Sequence, residues 1–159
     1  MNKETLIIGL IVLFLLTNPV QIQNTGTGPR GIRNMNPGNI KITSIPWQGK
    51  ISLDDNTDGV FEQFESMYYG IRASLKLLTN YMDAYGLRTI RKIINRWAPP
   101  SENDTGEYVE FVSSYTGMGP DQLLSKNDIP TISRAMFRVE NGGEYINNYE
   151  IMEAWNTLV

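Results

Sequence analysis

The sequence predicts an α+β domain, mainly helical, with a small β-hairpin region near its start and an apolar segment ahead of it. Three observations carry this. From Ser66 onward, apolar residues recur at three- and four-residue steps between helix caps and breakers. Between Ile40 and Phe64 they alternate with polar residues and are punctuated by turn signals. Residues 5–17, TLIIGLIVLFLLT, form an unbroken apolar run.

The apolar run follows Lys3 and Glu4. A spanning helix takes about 20 apolar residues, and extending the run to Val20 comes close. Residues 1–20 are therefore expected to be a transmembrane anchor. A signal peptide is the rival, since its apolar core is about 7–15 residues long. The flank NPVQIQNTGTG, however, has no small-x-small cleavage site. A buried core helix would carry a polar stripe, and the run has none. Residues 21–29 are polar and rich in Gly and Thr, the composition of a flexible linker. Residues 30–159 form the folded domain, about 130 residues and enough for one modest core.

That domain opens on RGIRNMNPGNIK, residues 30–41. Gly and Asn tolerate positive φ and Pro fixes φ, so this stretch prescribes tight turns. In the strand region Ile40 and Ile42 alternate with Lys41 and Thr43, Ile51 and Leu53 flank Ser52, and Val60, Phe61 and Phe64 follow Asp58-Gly59. The acidic run 54–58 lacks the spacing and closing Glu of a calcium loop and reads as a solvated turn. Ser66 and Gly86 bracket a long helix bearing Ile71, Leu75, Leu78 and Met82. Thr89 opens a second, with Ile90, Ile93, Ile94 and Trp97 on one face, and Pro99-Pro100 stops it. Asp104 and Glu107 suit a capping box for a third. Pro130 starts a fourth that ends at Glu140-Asn141-Gly142-Gly143, and a last helix carries Ile151 and Trp155.

Composition narrows the chemistry. The 159 residues contain no His and no Cys. A Ser-His-Asp triad or Cys-His pair cannot be built, and zinc catalysis loses its usual ligands. Asp, Glu, Lys and Tyr remain for acid–base work, and glycoside cleavage is the common hydrolysis run by carboxylates alone. A net charge of −3 with no basic run argues against a nucleic-acid partner. No metal or other cofactor is expected.

Two carboxylates stand out. Glu140 sits at a helix C-terminus, where the helix dipole disfavours negative charge. That field, with some burial, raises a carboxyl pKa, as a general acid requires. Its bland counterpart is an exposed Glu at a helix stop. Glu102, with Asn103, follows the rigid Trp97-Ala98-Pro99-Pro100 shelf and leads into a helix, where acids are favoured for structural reasons as well. Arg30, Arg33, Asn34 and Asn36 crowd the opening turns. Trp47, beside Gln48-Gly49, could stack on a pyranose or could be a half-buried turn residue. Tyr108 could position substrate or simply pack.

The strings RGIRNMNPGNIK, Trp47-Gln48-Gly49, FEQFESMYYGIRA, TIRKIINRWAPPSENDTGEY and VENGG resemble a family of small phage and prophage virion proteins regarded as lysozyme-like and peptidoglycan-degrading. The resemblance covers roughly residues 30–145 and is most specific in NMNPGNIK and RWAPPSEN. It implies a lysozyme-like domain. In distant lysozyme-like transglycosylases the catalytic Glu ends a helix that precedes a β-hairpin. Here nothing acidic precedes the hairpin except Glu4, and the best match is ISRAMFRVENGG, so a circularly permuted domain would bring Glu140 to the hairpin. The resemblance implies Glu140 as general acid with Glu102 in reserve, and Arg30, Arg33, Asn36, Asn39, Trp47, Asn103 and Tyr108 as holders of glycan and peptide stems. Asp58 or Glu102, or the substrate's own N-acetyl group, would assist departure. The implied function is a virion-associated muramidase or lytic transglycosylase, anchored through residues 5–20 in a viral or host inner membrane, acting on peptidoglycan in the periplasm beside other virion proteins. The alternative is a non-catalytic, murein-binding virion module.

Overall fold

The computed structural model describes residues 27–101 and 104–158. The order of elements is α1 (Arg30–Arg33), α2 (Met67–Tyr85), α3 (Ile90–Trp97), α4 (Thr105–Thr116), a 3-10 turn (Lys126–Asp128), α5 (Ile129–Asn141) and α6 (Asn148–Trp155). Their ends follow local chemistry. Thr89 accepts from Lys92 N, Asp104 from Glu107 N and Asn147 from Glu150 N. Gly86, Gly117 and Gly142 take left-handed conformations just past three helices, satisfying carbonyls that have no partner within the helix.

Helix α5 is the hub: it packs against α1, α2, α4, α6 and the 3-10 turn. The core is one cluster built from Ile71, Leu75, Leu78 and Met82 of α2, Ile90, Ile93 and Ile94 of α3, Val112 of α4, Ile132 and Met136 of α5, and Ile151 of α6, all essentially inaccessible. The three- and four-residue spacing places these side chains on inward faces. Two small residues one turn apart on α2 receive the loop after α1. A Cβ on Gly70 would collide with the Met35 carbonyl, and Ser74 lies under Gly38.

The expected β-hairpin does not form, and the α+β, lysozyme-like description is corrected accordingly. Among the described residues, pairing is limited to two isolated antiparallel bridges, Lys41 with Phe61 and Lys50 with Phe64. Side chains intercept the backbone groups that would extend them. Ile40 N donates to Asn36 Oδ1, Thr43 N to Glu62 Oε1, and Val60 N and Phe61 N to Asp58 Oδ1. The alternation of Ile40 with polar neighbours therefore marks burial in an irregular loop rather than a ladder. Glu62, with no exposed surface, holds that loop as a buried carboxylate paired with Lys50 Nζ at 2.8 Å.

The expected transmembrane helix is likewise not part of this fold. Among the described residues no helix is long and apolar enough to cross a membrane. Residues 1–20, on which that expectation rested, lie outside the described residues, as do 21–26 of the linker.

Candidate functional site

The C-terminal end of α5 meets the loop that follows α1, and Glu140 is the centre of that meeting. Its Oε1 accepts from Trp97 Nε1 at 2.9 Å and from Tyr108 OH at 3.0 Å. Its Oε2 accepts from Asn39 Nδ2 at 3.0 Å, and the same amide nitrogen reaches the Glu140 backbone oxygen at 3.1 Å. Glu140 is partly buried. Burial pushes its carboxyl above the ordinary value of 4.5, and the bonds from Asn39, Trp97 and Tyr108 pull against that rise. Burial and the adjacent Glu140 push the Tyr108 hydroxyl well above its usual range, so it stays a proton donor to the carboxylate.

Four segments deliver these groups. Trp97 ends α3, and its ring rests on Gly38, where a Cβ would stand 2.8 Å from Cζ2. Only glycine lets the turn approach the indole so closely. Tyr108 comes from the first turns of α4. Asn39 sits at φ 47°, a left-handed conformation that Asn tolerates. Next to Glu140, the buried Asn141 donates its Nδ2 to Pro37 O at 2.8 Å and locks the turn onto the helix end.

Gly31 closes the arrangement from below. A Cβ there would stand 2.5 Å from Asn141 Oδ1, 2.8 Å from Asn36 O and 2.9 Å from Asn39 Oδ1. Asn39 Oδ1 and Asn141 Oδ1 are buried and accept no conventional hydrogen bond. They rest against the Gly31 Cα–H, a weak donor.

The structure thus brings together Glu140, Asn39 and Tyr108, and adds Trp97 and Asn141, to which the sequence reading gave no site role. Other candidates lie elsewhere. Asn36, fully buried, spends its side chain on Ile40 and the Glu62 carbonyl inside the loop. Arg30 pairs with Asp58 at 2.8 Å and stacks over Phe61. Arg33 donates to Gly28 O. Trp47 is partly buried against the core and is not bonded to Glu140. Glu102 and Asn103 lie outside the described residues.

Asp58 holds a different junction. It accepts from Arg30 Nε, Asn34 Nδ2, Val60 N and Phe61 N. Burial works against its ionisation, yet the bonds from Asn34, Phe61, Arg30 and Val60 together bring its pKa down to about 2. It is a firmly ionised carboxylate with its lone pairs engaged. Among the described residues no three acidic side chains converge to hold a metal ion.

No protein-family model matches the chain. The chain is 40% identical over 140 residues to protein P5 of Pseudoalteromonas phage PM2, an alignment that covers 86% of this chain and 84% of that protein. It therefore belongs to the family of phage proteins that includes this P5.

Proposed function

We propose that this phage protein is a virion-associated enzyme that cleaves the glycan strand of peptidoglycan, with Glu140 as general acid. The observation that supports it is the state of Glu140: a largely buried carboxyl, raised by that burial and held in one orientation by Asn39, Trp97 and Tyr108. Oε1 accepts from two donors and Oε2 from Asn39 alone, so the acidic proton is assigned to Oε2, whose hydroxyl can donate to substrate while still accepting from Asn39. That proton passes to the glycosidic oxygen, the bond from that oxygen to the anomeric carbon breaks, and Trp97 and Tyr108 stabilise the carboxylate left behind. The cation at the sugar is then captured by water, by the substrate's N-acetyl oxygen, or by an internal hydroxyl that closes an anhydro sugar. The absence of His and Cys fits this carboxylate chemistry, as does the resemblance of NMNPGNIK and RWAPPSEN to the peptidoglycan-degrading virion family.

A second reading has its own observations. Asp58 is fully engaged in its loop, and neither of the two open grooves flanking α3 is lined by Glu140. These favour a murein-binding virion module in which Glu140 is a structural anchor. The test is the full-length protein on purified peptidoglycan, with released fragments read by mass spectrometry. Reducing-end or anhydro-muropeptides from the wild type that vanish in Glu140→Gln are expected. A folded wild type that releases nothing would turn the assignment to the binding module.

A further inference from the structure

From Gly86 to Trp97 the chain reads GLRTIRKIINRW, with four cations and no acid. On α3 the apolar residues Ile90, Ile93 and Ile94 face the core, leaving Arg91, Lys92, Asn95 and Arg96 exposed. An open groove of about 680 Å³ runs along this face and is walled by Tyr85 and Pro99. A second, of about 520 Å³, shares Arg91 and Asn95 and continues to the start of α4.

The cations are not equivalent. Arg91 is taken by Asp121 through two bonds of 2.9 Å. Lys92 and Arg96 form no ion pair among the described residues. Among the described residues the acids facing this surface are Asp121, paired with Arg91 and close enough to Lys92 to feel its charge, and Asp104, at the far end of the second groove. Arg96 is stacked over Tyr85 at 4.3 Å and reaches Tyr81 at 5.4 Å. Stacking fixes the guanidinium plane, and a planar fork matches a carboxylate through two parallel bonds. Tyr81 in turn packs edge-on against Trp97, the residue that donates to Glu140.

We infer that the α3 groove is a subsite for the carboxylates of peptidoglycan stem peptides, with Arg96 and Lys92 as its binding cations. The inference rests on the reading that the domain works on peptidoglycan. It extends that reading to substrate choice. A sugar chain alone offers these cations nothing to neutralise, whereas peptide stems bring carboxylates. The three cations of this stretch without an ion pair among the described residues, Arg88, Lys92 and Arg96, are too few for a nucleic-acid track in a chain of net charge −3. The contact path from Arg96 through Tyr81 to Trp97 keeps the subsite next to the site around Glu140.

Calorimetry on the full-length protein tests this, with two probes: a peptidoglycan disaccharide–tetrapeptide and the same disaccharide without peptide. The peptide-bearing probe is expected to bind about tenfold or more tighter. Arg96→Gln and Lys92→Gln each remove most of that difference and leave the bare disaccharide unaffected, while Arg96→Lys restores part of it. Equal affinity for both probes, equal weakening of both by the variants, or no binding of the peptide-bearing probe would overturn the assignment. So would tighter binding of single-stranded DNA or anionic vesicles through the same residues. Since binding is read without cleavage, this outcome is separate from that of Glu140→Gln on intact peptidoglycan.

Discussion

Asn39 and Glu140 are 101 residues apart in the chain and touch twice, Asn39 Nδ2 lying 3.0 Å from Glu140 Oε2 and 3.1 Å from Glu140 O. One amide thus serves both the side chain and the last turn of α5. It does so from a left-handed backbone that most residues avoid.

Asn39→Ala should expose both contributions. It removes bonds to a carboxylate, worth about 1.5–3 kcal/mol, and replaces Asn, which tolerates positive φ, by Ala, which does so less readily, at about 1 kcal/mol more. Thermal unfolding should fall by about 2–4 °C per kcal/mol. Asn39→Gly keeps the backbone comfortable and loses only the bonds, so its midpoint should lie between wild type and Asn39→Ala. Equal midpoints for the two variants would show that the conformation of residue 39 contributes nothing.

Gly31→Ala should be among the most damaging small substitutions, because a methyl there must displace three oxygens that also set Asn39 and Asn141. We expect a loss of about 2–4 kcal/mol in denaturant unfolding. Gly59→Ala is the control. Its φ is 76° but nothing lies within 4 Å, so only backbone strain of about 1–2 kcal/mol should appear. Comparable losses in the two variants would remove the convergence on Gly31 as a determinant.

The two carboxylates should respond to pH with opposite signs. Asp58 is lowered from 3.8 to about 2, so its contribution is full above 3.8 and is lost as pH falls through about 2. After allowance for the exposed Arg30, about 1–2 kcal/mol should separate wild type from Asp58→Asn at neutral pH and fade at the acid limit. Glu140 is raised above 4.5, so the folded state holds its proton more tightly than the unfolded chain does. Its contribution is most favourable below 4.5 and declines as pH rises through the elevated value. Wild type should therefore lose ground to Glu140→Gln as pH rises above 4.5 in denaturant titrations. A gap that does not change with pH would remove Glu140 as a group with a raised pKa.

Much of the helical framework was legible because its signals are local. Thr89, Asp104, Gly86, Gly117 and Gly142 act within a few residues of themselves, and the apolar spacing of Ile71 to Met82 needs only a helix to become a face. Residues 39–65 misled because alternation reports burial, while the sheet needs free backbone partners, and Asn36, Asp58 and Glu62 take those partners. At the candidate site, Glu140 showed itself by its place before Asn-Gly-Gly. Trp97 and Asn141 did not, since their roles depend on contacts to Glu140 and Pro37 across 43 and 104 residues. Asn36 looked like a ligand holder and is a loop staple, and the buried polar pattern that distinguishes the two is invisible in one dimension.

The loop built on Asn36, Asp58 and Glu62 has a consequence for how copies of this phage protein meet one another. A strand at the margin of a sheet offers a row of open amides and carbonyls on which a neighbouring copy can polymerise. Across residues 39–65 several of those groups are capped from within by side chains, so this surface offers a poorer template. Neighbouring copies therefore find fewer open backbone groups here from which a fibre could be seeded.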